Sequence, residues 1–269
     1  MPVLALDTSS AVSVAVVEDD VPGGVPLRRG DGVLAARRVL EQRRHAELLA
    51  PLVVEVLALS GVDRRDLTAV VVGTGPAPFT GLRAGLVTAR TFAMALGIPV
   101  HGVSSLDALA AEAASELGLP SGSTVLVATD ARRHEVYWAR YRVAWGGTHA
   151  SDPSSGDVAE NHVGTWPAGP PVVLVDGPGV ARPAELAAEL AGMPRDDVVV
   201  GGGAALYGEL GALVPPGATS IGTEGPDPSF LARLALARLA DGEASLPTAP
   251  LYLRRPDVVP PTARKRVIG

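Results

Sequence analysis

The chain has no cysteine in 269 residues, which excludes disulfides, thiolate catalysis and cysteine-based zinc sites. Aromatic residues make up only 4% against a hydrophobic share of 47%, so any core has to be built from Ala, Val and Leu. Lysine is missing until Lys265, and with it the Gly-Lys-Ser/Thr end of a phosphate-binding loop. No apolar run reaches membrane-spanning length without Gly, Pro or a charge interrupting it. The apolar start, MPVLALDTSS, has no basic region ahead of it and is expected to be a strand, not a signal peptide. A cytoplasmic location without a membrane partner is the corresponding expectation. The formal net charge of -6 argues against a chain that grips nucleic acid through its own surface.

The stretch with most to say is residues 70–97, VVVGTGPAPFTGLRAGLVTARTFAMALG. A β-branched run at 70–72 reads as the end of a buried strand. A Gly/Pro-rich loop follows, then a helix over 82–96 that Gly97 stops. The loop fails the dinucleotide fingerprint, because Gly73-Thr74-Gly75 continues into Pro76-Ala77-Pro78. A tight strand-to-helix turn is the better reading. Within the helix Gly81, Gly85, Ala89 and Ala93 recur every four residues and stack on one side, where another backbone could approach closely. Leu82, Leu86, Arg90 and Met94 line a neighbouring stripe. Two such stripes predict a helix that touches two things.

Residues 3–7 form a strand ending in Asp7-Thr8-Ser9-Ser10, and 12–17 returns beside it. In actin-like ATPases and sugar kinases such a hairpin embraces phosphate, its amides and hydroxyls facing an anion while the Asp holds a metal or a water; D-T-S-S is also a common turn with no function. Residues 33–39 supply a third strand. A helix is expected over 41–60, apolar around more than half its circumference, with Pro51 bending or restarting it. His45 has Leu at position 49, so it lacks a spaced second ligand and reads as a surface or capping histidine.

A strand at 98–103 leads into a capping box, Ser104 capping and Asp107 reaching back, and a helix to about 117. The strand at 123–129 ends in a turn at Asp130-Ala131-Arg132-Arg133, and 135–143 alternates like a strand and carries Tyr137, Trp138 and Tyr141. A polar loop spans 145–171. Then come a strand at 172–175 with a turn at 176–179, a helix at 183–191 and a strand at 197–200. Gly201-Gly202-Gly203 is a second place for an anion or adenosine to rest on backbone amides, and Asp227 caps a last helix over 229–240. The order repeats itself, which predicts an α/β, actin-like (ASKHA, ribonuclease H-like) duplicated two-lobed fold. One lobe would take 1–103 plus 229–245, the other 104–228, and 246–269 would be an extended, basic, proline-rich tail.

The segments LALDTSS at 4–10, RRHAELLAPL at 43–52, GTGPAPFTGLRAGLVTARTFA at 73–93, IPVHGVSSLDALA at 98–110, DARRHEVYWARY at 130–141 and PLYLR at 250–254 together resemble the TsaB (YeaZ-like) family. Ala77-Pro78 stands where Gly-Ser is more usual in that family. The resemblance implies a non-catalytic subunit that docks on a catalytic transferase of the same fold. With an ATPase subunit, that complex moves a threonylcarbamoyl group from its adenylate onto an adenosine beside the anticodon of tRNA, which this chain would meet only through the complex. The catalytic relative carries a metal-binding His-x-x-x-His pair where Ser105 and Leu109 stand here. No catalytic residue, metal ligand or cofactor is implied for this chain.

The helices at 41–60 and 82–96 are expected to form the docking face, through His45, Leu48, Leu49, Leu52, Gly85, Leu86, Ala89, Arg90, Ala93 and Met94. Leu86 would then face water in the free chain. Asp7, Thr8, Ser9 and Arg83 are the candidates for a vestigial or subunit-boundary nucleotide contact, with ATP held weakly or not at all. Pairing of the chain with itself when alone stays open. One rival reading is an autonomous actin-like ATPase or kinase that cradles nucleotide with Asp7, Thr8, Asp130 and residues 201–203. Another is a metallopeptidase, for which His45, His101, His134, His149 and His162 lack ligand spacing.

Overall fold

PVLALD forms β1 (Pro2–Asp7), which runs antiparallel to β2 (Val12–Glu18), itself antiparallel to β3 (Val33–Val39). Helix α1 (His45–Ser60) leads to β4 (Ala69–Gly73), parallel to β1; α2 (Phe79–Leu96) leads to β5 (Val100–Val103), parallel to β4. Helix α3 (Ser105–Glu116) carries the chain to a second sheet. There β6 (Thr124–Arg132), β7 (Glu135–Val143) and β8 (Val172–Ala181) are antiparallel neighbours. After α4 (Pro183–Leu190), β9 (Val198–Val200) lies parallel to β6, and after α5 (Gly202–Leu206), β10 (Ser220–Ile221) lies parallel to β9. Helix α6 (Pro228–Ala240) closes the series. This computed structural model describes residues 1–18, 32–41, 44–145, 170–194, 196–213, 220–221 and 225–254. Most of the 145–171 loop, Arg43 and the basic part of the tail lie outside them.

The sheets are ordered β3-β2-β1-β4-β5 and β8-β7-β6-β9-β10, the same order with the same directions. The fold is therefore the duplicated, actin-like α/β architecture. Alternation along the strands sets the layers. Leu4, Leu6, Val70 and Val72 face α1 and α2 on the outer side of the first sheet. Val3, Ala5 and Val71 face inward, where α3 and α6 share one core with Val125, Val127 and Tyr141 of the second sheet. Leu126, Ala128 and Val199 point the other way, under α4 and the turn at Leu210 and Leu213. Helix α6 packs across the inner face of the first sheet as well as on α3.

Several elements differ from expectation for local reasons. Helix α1 starts at His45, not 41, and continues through Pro51. Pro51 and Glu47 are both exposed, so the Glu47 carbonyl that Pro51 cannot serve meets water. Helix α2 takes in Phe79-Thr80-Gly81 with Pro78 at its cap, a position whose N–H makes no intrahelical bond. Strand β6 runs past Asp130 to Arg132 through a register shift, and three consecutive positive φ values (66°, 56° and 58° at Arg132, Arg133 and His134) reverse the chain. Strand β8 continues through Asp176-Gly177-Pro178-Gly179. It is an edge strand, where a proline need not cost a ladder bond. Ser104 does cap α3, accepting from the Leu106 N–H, but Asp107 accepts from the Tyr141 hydroxyl at 2.7 Å and from Arg238 instead of reaching back.

Candidate functional site

A cleft of about 830 Å³ opens between the two sheets' ends. Its walls are the β1–β2 turn (Thr8, Ser9, Ser10), the first turns of α1 and α2, the start of α3 at Ser105, Thr129, Asp130 and Arg132 of β6, and Gly202 at the start of α5. The duplication explains the arrangement. Asp7 ends β1 and Asp130 stands near the end of the equivalent β6, and each accepts the N–H two residues on, Ser9 and Arg132, at 2.8 Å. The structure thus brings Thr8, Ser9, Asp130 and the 201–203 glycines to one place.

Asp7 itself is buried and fully engaged. One carboxylate oxygen accepts from Ser9 and the other from the Ser105 hydroxyl at 2.6 Å. Burial raises its pKa above the ordinary carboxylate value, opposed by the Ser105 and Ser9 hydrogen bonds. Thr8 donates its hydroxyl to the Gly81 carbonyl at 2.9 Å. A Cβ on Gly85 would lie 2.3 Å from the Thr8 Oγ1. The small-residue stripe of α2 therefore admits the Thr8 side chain, where the sequence suggested the close approach of another backbone. His45 lies between the start of α1 and Gly81, half-buried, and its Nε2 has no partner among the described residues. Those residues contain no group of three His, Cys, Asp or Glu able to hold a metal ion.

Arg83 is not gathered with Asp7, Thr8 and Ser9. Its guanidinium stacks 3.5 Å above the Phe79 ring and donates to the Tyr252 hydroxyl at 3.0 Å. Arg90 is likewise engaged, with Thr248. The docking set needs a larger correction. Leu49, Leu52, Gly85, Leu86, Ala89 and Ala93 are buried against the first sheet, and Leu86 is 3% exposed, so it does not face water. Leu48 and His45 are half-buried, and of the ten only Arg90 and Met94 are exposed. Exposed positions on the two helices include Ala50, Pro51, Val54, Glu55, Ala58 and Leu59 on α1 and Val87, Arg90, Thr91, Met94 and Ala95 on α2. Val54, Val87 and Met94 are 68%, 61% and 77% exposed. The stripe read as Leu82, Leu86, Arg90 and Met94 is split, its first half buried and its second exposed, because positions four apart drift round the helix.

A family model described as TsaD, tRNA N6-adenosine threonylcarbamoyltransferase, matches residues 37–172. An uncharacterized protein of Mycobacterium tuberculosis is 38% identical over 96% of this chain and 94% of its own length. The tRNA threonylcarbamoyladenosine biosynthesis protein TsaB of Escherichia coli is 36% identical over 53% of this chain and 55% of its own. The chain thus spans about half the length of the curated TsaB relatives it matches, and 57% of a related Mycobacterium leprae protein. A Pseudomonas aeruginosa structure, described as an uncharacterized protein with similarity to peptidase YEAZ, superposes with a TM-score of 0.65 at 26% identity, covering 94% of this chain and 99% of that one. Matched along its sequence and through both sheets, the chain belongs to the TsaB (YeaZ-like) family.

Proposed function

We propose that the chain is a non-catalytic subunit that docks on, and activates, a transferase of its own fold in the threonylcarbamoyladenosine modification of tRNA. Its relatives in E. coli, Haemophilus influenzae and Bacillus subtilis are named for that biosynthesis. The observation that carries the non-catalytic reading lies at the start of α3. Ser105 and Leu109 occupy the positions where the resemblance places the transferase's histidine pair. Ser105 donates to Asp7, and Leu109 is 2% exposed in the central core. Neither offers a donor to a metal that would polarise a carbonyl. The outward side of α1 and α2, where Val54, Val87 and Met94 are exposed, supplies the docking surface.

The test is reconstitution. The transferase and ATPase subunits are assayed for tRNA modification with and without this chain. Stimulation by the chain, and no modification by the chain alone, is the expected result; turnover by the chain alone would overturn the reading. The interlobe cleft favours a second reading, an autonomous ATPase, because Thr8, Ser9, Asp130 and Gly202 surround it. Calorimetric titration of the lone chain with magnesium and ATP separates the two, and tight binding with hydrolysis would favour the second.

A further inference from the structure

After α6 the chain turns back along the molecule. Leu246 is buried in the central core, and its carbonyl accepts the Gly102 N–H of β5 at 3.0 Å. Gly102 permits that approach, since a Cβ there would lie 2.3 Å from the Pro247 carbonyl oxygen. Arg90 of α2 donates to the Thr248 hydroxyl at 2.8 Å and to the Thr248 carbonyl at 2.6 Å. The Leu251 N–H bonds the Thr74 carbonyl at 2.9 Å, and Tyr252 joins the Arg83–Phe79 stack with its ring 5.1 Å from that of Phe79. Apart from the shared core around Leu246, these partners lie in β5, in α2 or in the loop that follows β4.

Arg254 reaches across to the second sheet. It donates to the Ala131 carbonyl at 3.1 Å and pairs with Glu135 at 2.7 Å, both on the β6–β7 hairpin. Ala131 sits between Asp130 and Arg132, which line the cleft; Thr74 sits just before Pro76, which lines it from the other side. Residues 251–254 therefore bridge the two lips. The two ends of the bridge are unequal. On the first lobe it is held by several hydrogen bonds and an aromatic stack, below Leu246 in the core that both sheets share. On the second it is held by one carbonyl bond and an ion pair whose side chains are 26% and 28% exposed, a weak clasp in partial contact with water.

We propose that residues 246–254 are an interlobe latch, in which Arg254 clasping Ala131 and Glu135 sets the opening of the cleft. When the clasp opens, the segment stays with the first lobe and the β6–β7 hairpin is released. This inference concerns the chain by itself and stands apart from its role in tRNA modification. The chain has no cysteine, so spin labels on cysteines introduced at Ala58 of α1 and Glu189 of α4 report the interlobe distance by pulsed electron resonance. Arg254→Ala and Glu135→Ala should each broaden a narrow distance distribution, and the exchanged pair Arg254→Glu with Glu135→Arg should narrow it again. In Arg254→Ala, the Leu251 amide, bonded to the Thr74 carbonyl on the first lobe, should keep its protection against hydrogen exchange. The Gly102 amide, anchored upstream by Leu246, should keep its protection as well. Unchanged distances in both single variants would overturn the latch. So would broadening accompanied by equally faster exchange throughout β6 and β7, which would mean general loosening.

Discussion

Asp7 ends a central strand with its carboxyl group out of water, and burial keeps its proton on to a higher pH than the ordinary 3.8. A raised folded-state pKa contributes stability that is complete below the unfolded value and is lost as pH rises through the folded one. Asp7→Asn keeps an acceptor for Ser9 and offers a donor to Ser105, so the variant should gain on the parent from pH 3.8 upward and then level off. Urea unfolding of both proteins across that range measures the difference; a variant that loses ground as pH rises would contradict the assignment. Burial also raises Asp196, against the opposing effect of Arg140, which is why the difference between proteins, not one curve, isolates Asp7. At Gly85 the expectation is steric. Gly85→Ala should cost about 1 to 3 kcal/mol through the clash with Thr8, and adding Thr8→Ala should recover part of it, as thermal unfolding of both variants would show. The close-packing role of this glycine was legible in its four-residue recurrence. Its partner was not, because Thr8 is brought there by tertiary pairing from far along the chain.

Helix α2 presents two faces with opposite demands. Leu86 lies in the core and Val87 next to it faces outward. Leu86→Glu should therefore destabilise the fold by about 3 to 5 kcal/mol, the cost of an unpaired buried charge. Val87→Glu should leave the melting temperature unchanged and weaken docking on the transferase by about 2 kcal/mol or more, roughly 30-fold. Melting curves and a binding titration check the pair; normal docking by the Val87 variant would remove this face from the interface. Most helices and strands were readable from apolar periodicity and Gly stops, as Glu135–Val143 illustrates. What misled was local turn chemistry. Asp-Gly-Pro-Gly reads as a turn, yet it lies inside β8 because an edge strand tolerates the missing N–H. The capping box at Ser104 was half right, since Tyr141 and Arg238 outcompete the backbone for Asp107.

At the scale of the molecule, α3 and α6 belong to a core that both sheets share. Unfolding should accordingly be one transition. Tryptophan fluorescence, which reports Trp138, Trp145 and Trp166, all in the second half of the chain, should coincide with helical circular dichroism from both halves. Phe230→Ala in α6 should shift both signals together, by about 3 to 5 kcal/mol; separate midpoints would mean that the lobes unfold independently. The duplicated order was legible because two strand–turn–strand units, each with an Asp at the strand end, recur at similar places. The sharing of one core was not, since a helix such as α3, buried on most of its surface, does not declare which sheet it covers. The two halves also differ outside. The first sheet is backed by the long pair α1 and α2, where Val54, Val87 and Met94 are exposed, the second by the short α4 and a tight turn. If docking uses the outer face of the first lobe alone, a single partner occupies that surface. Two such bodies joined face to face would form a closed pair.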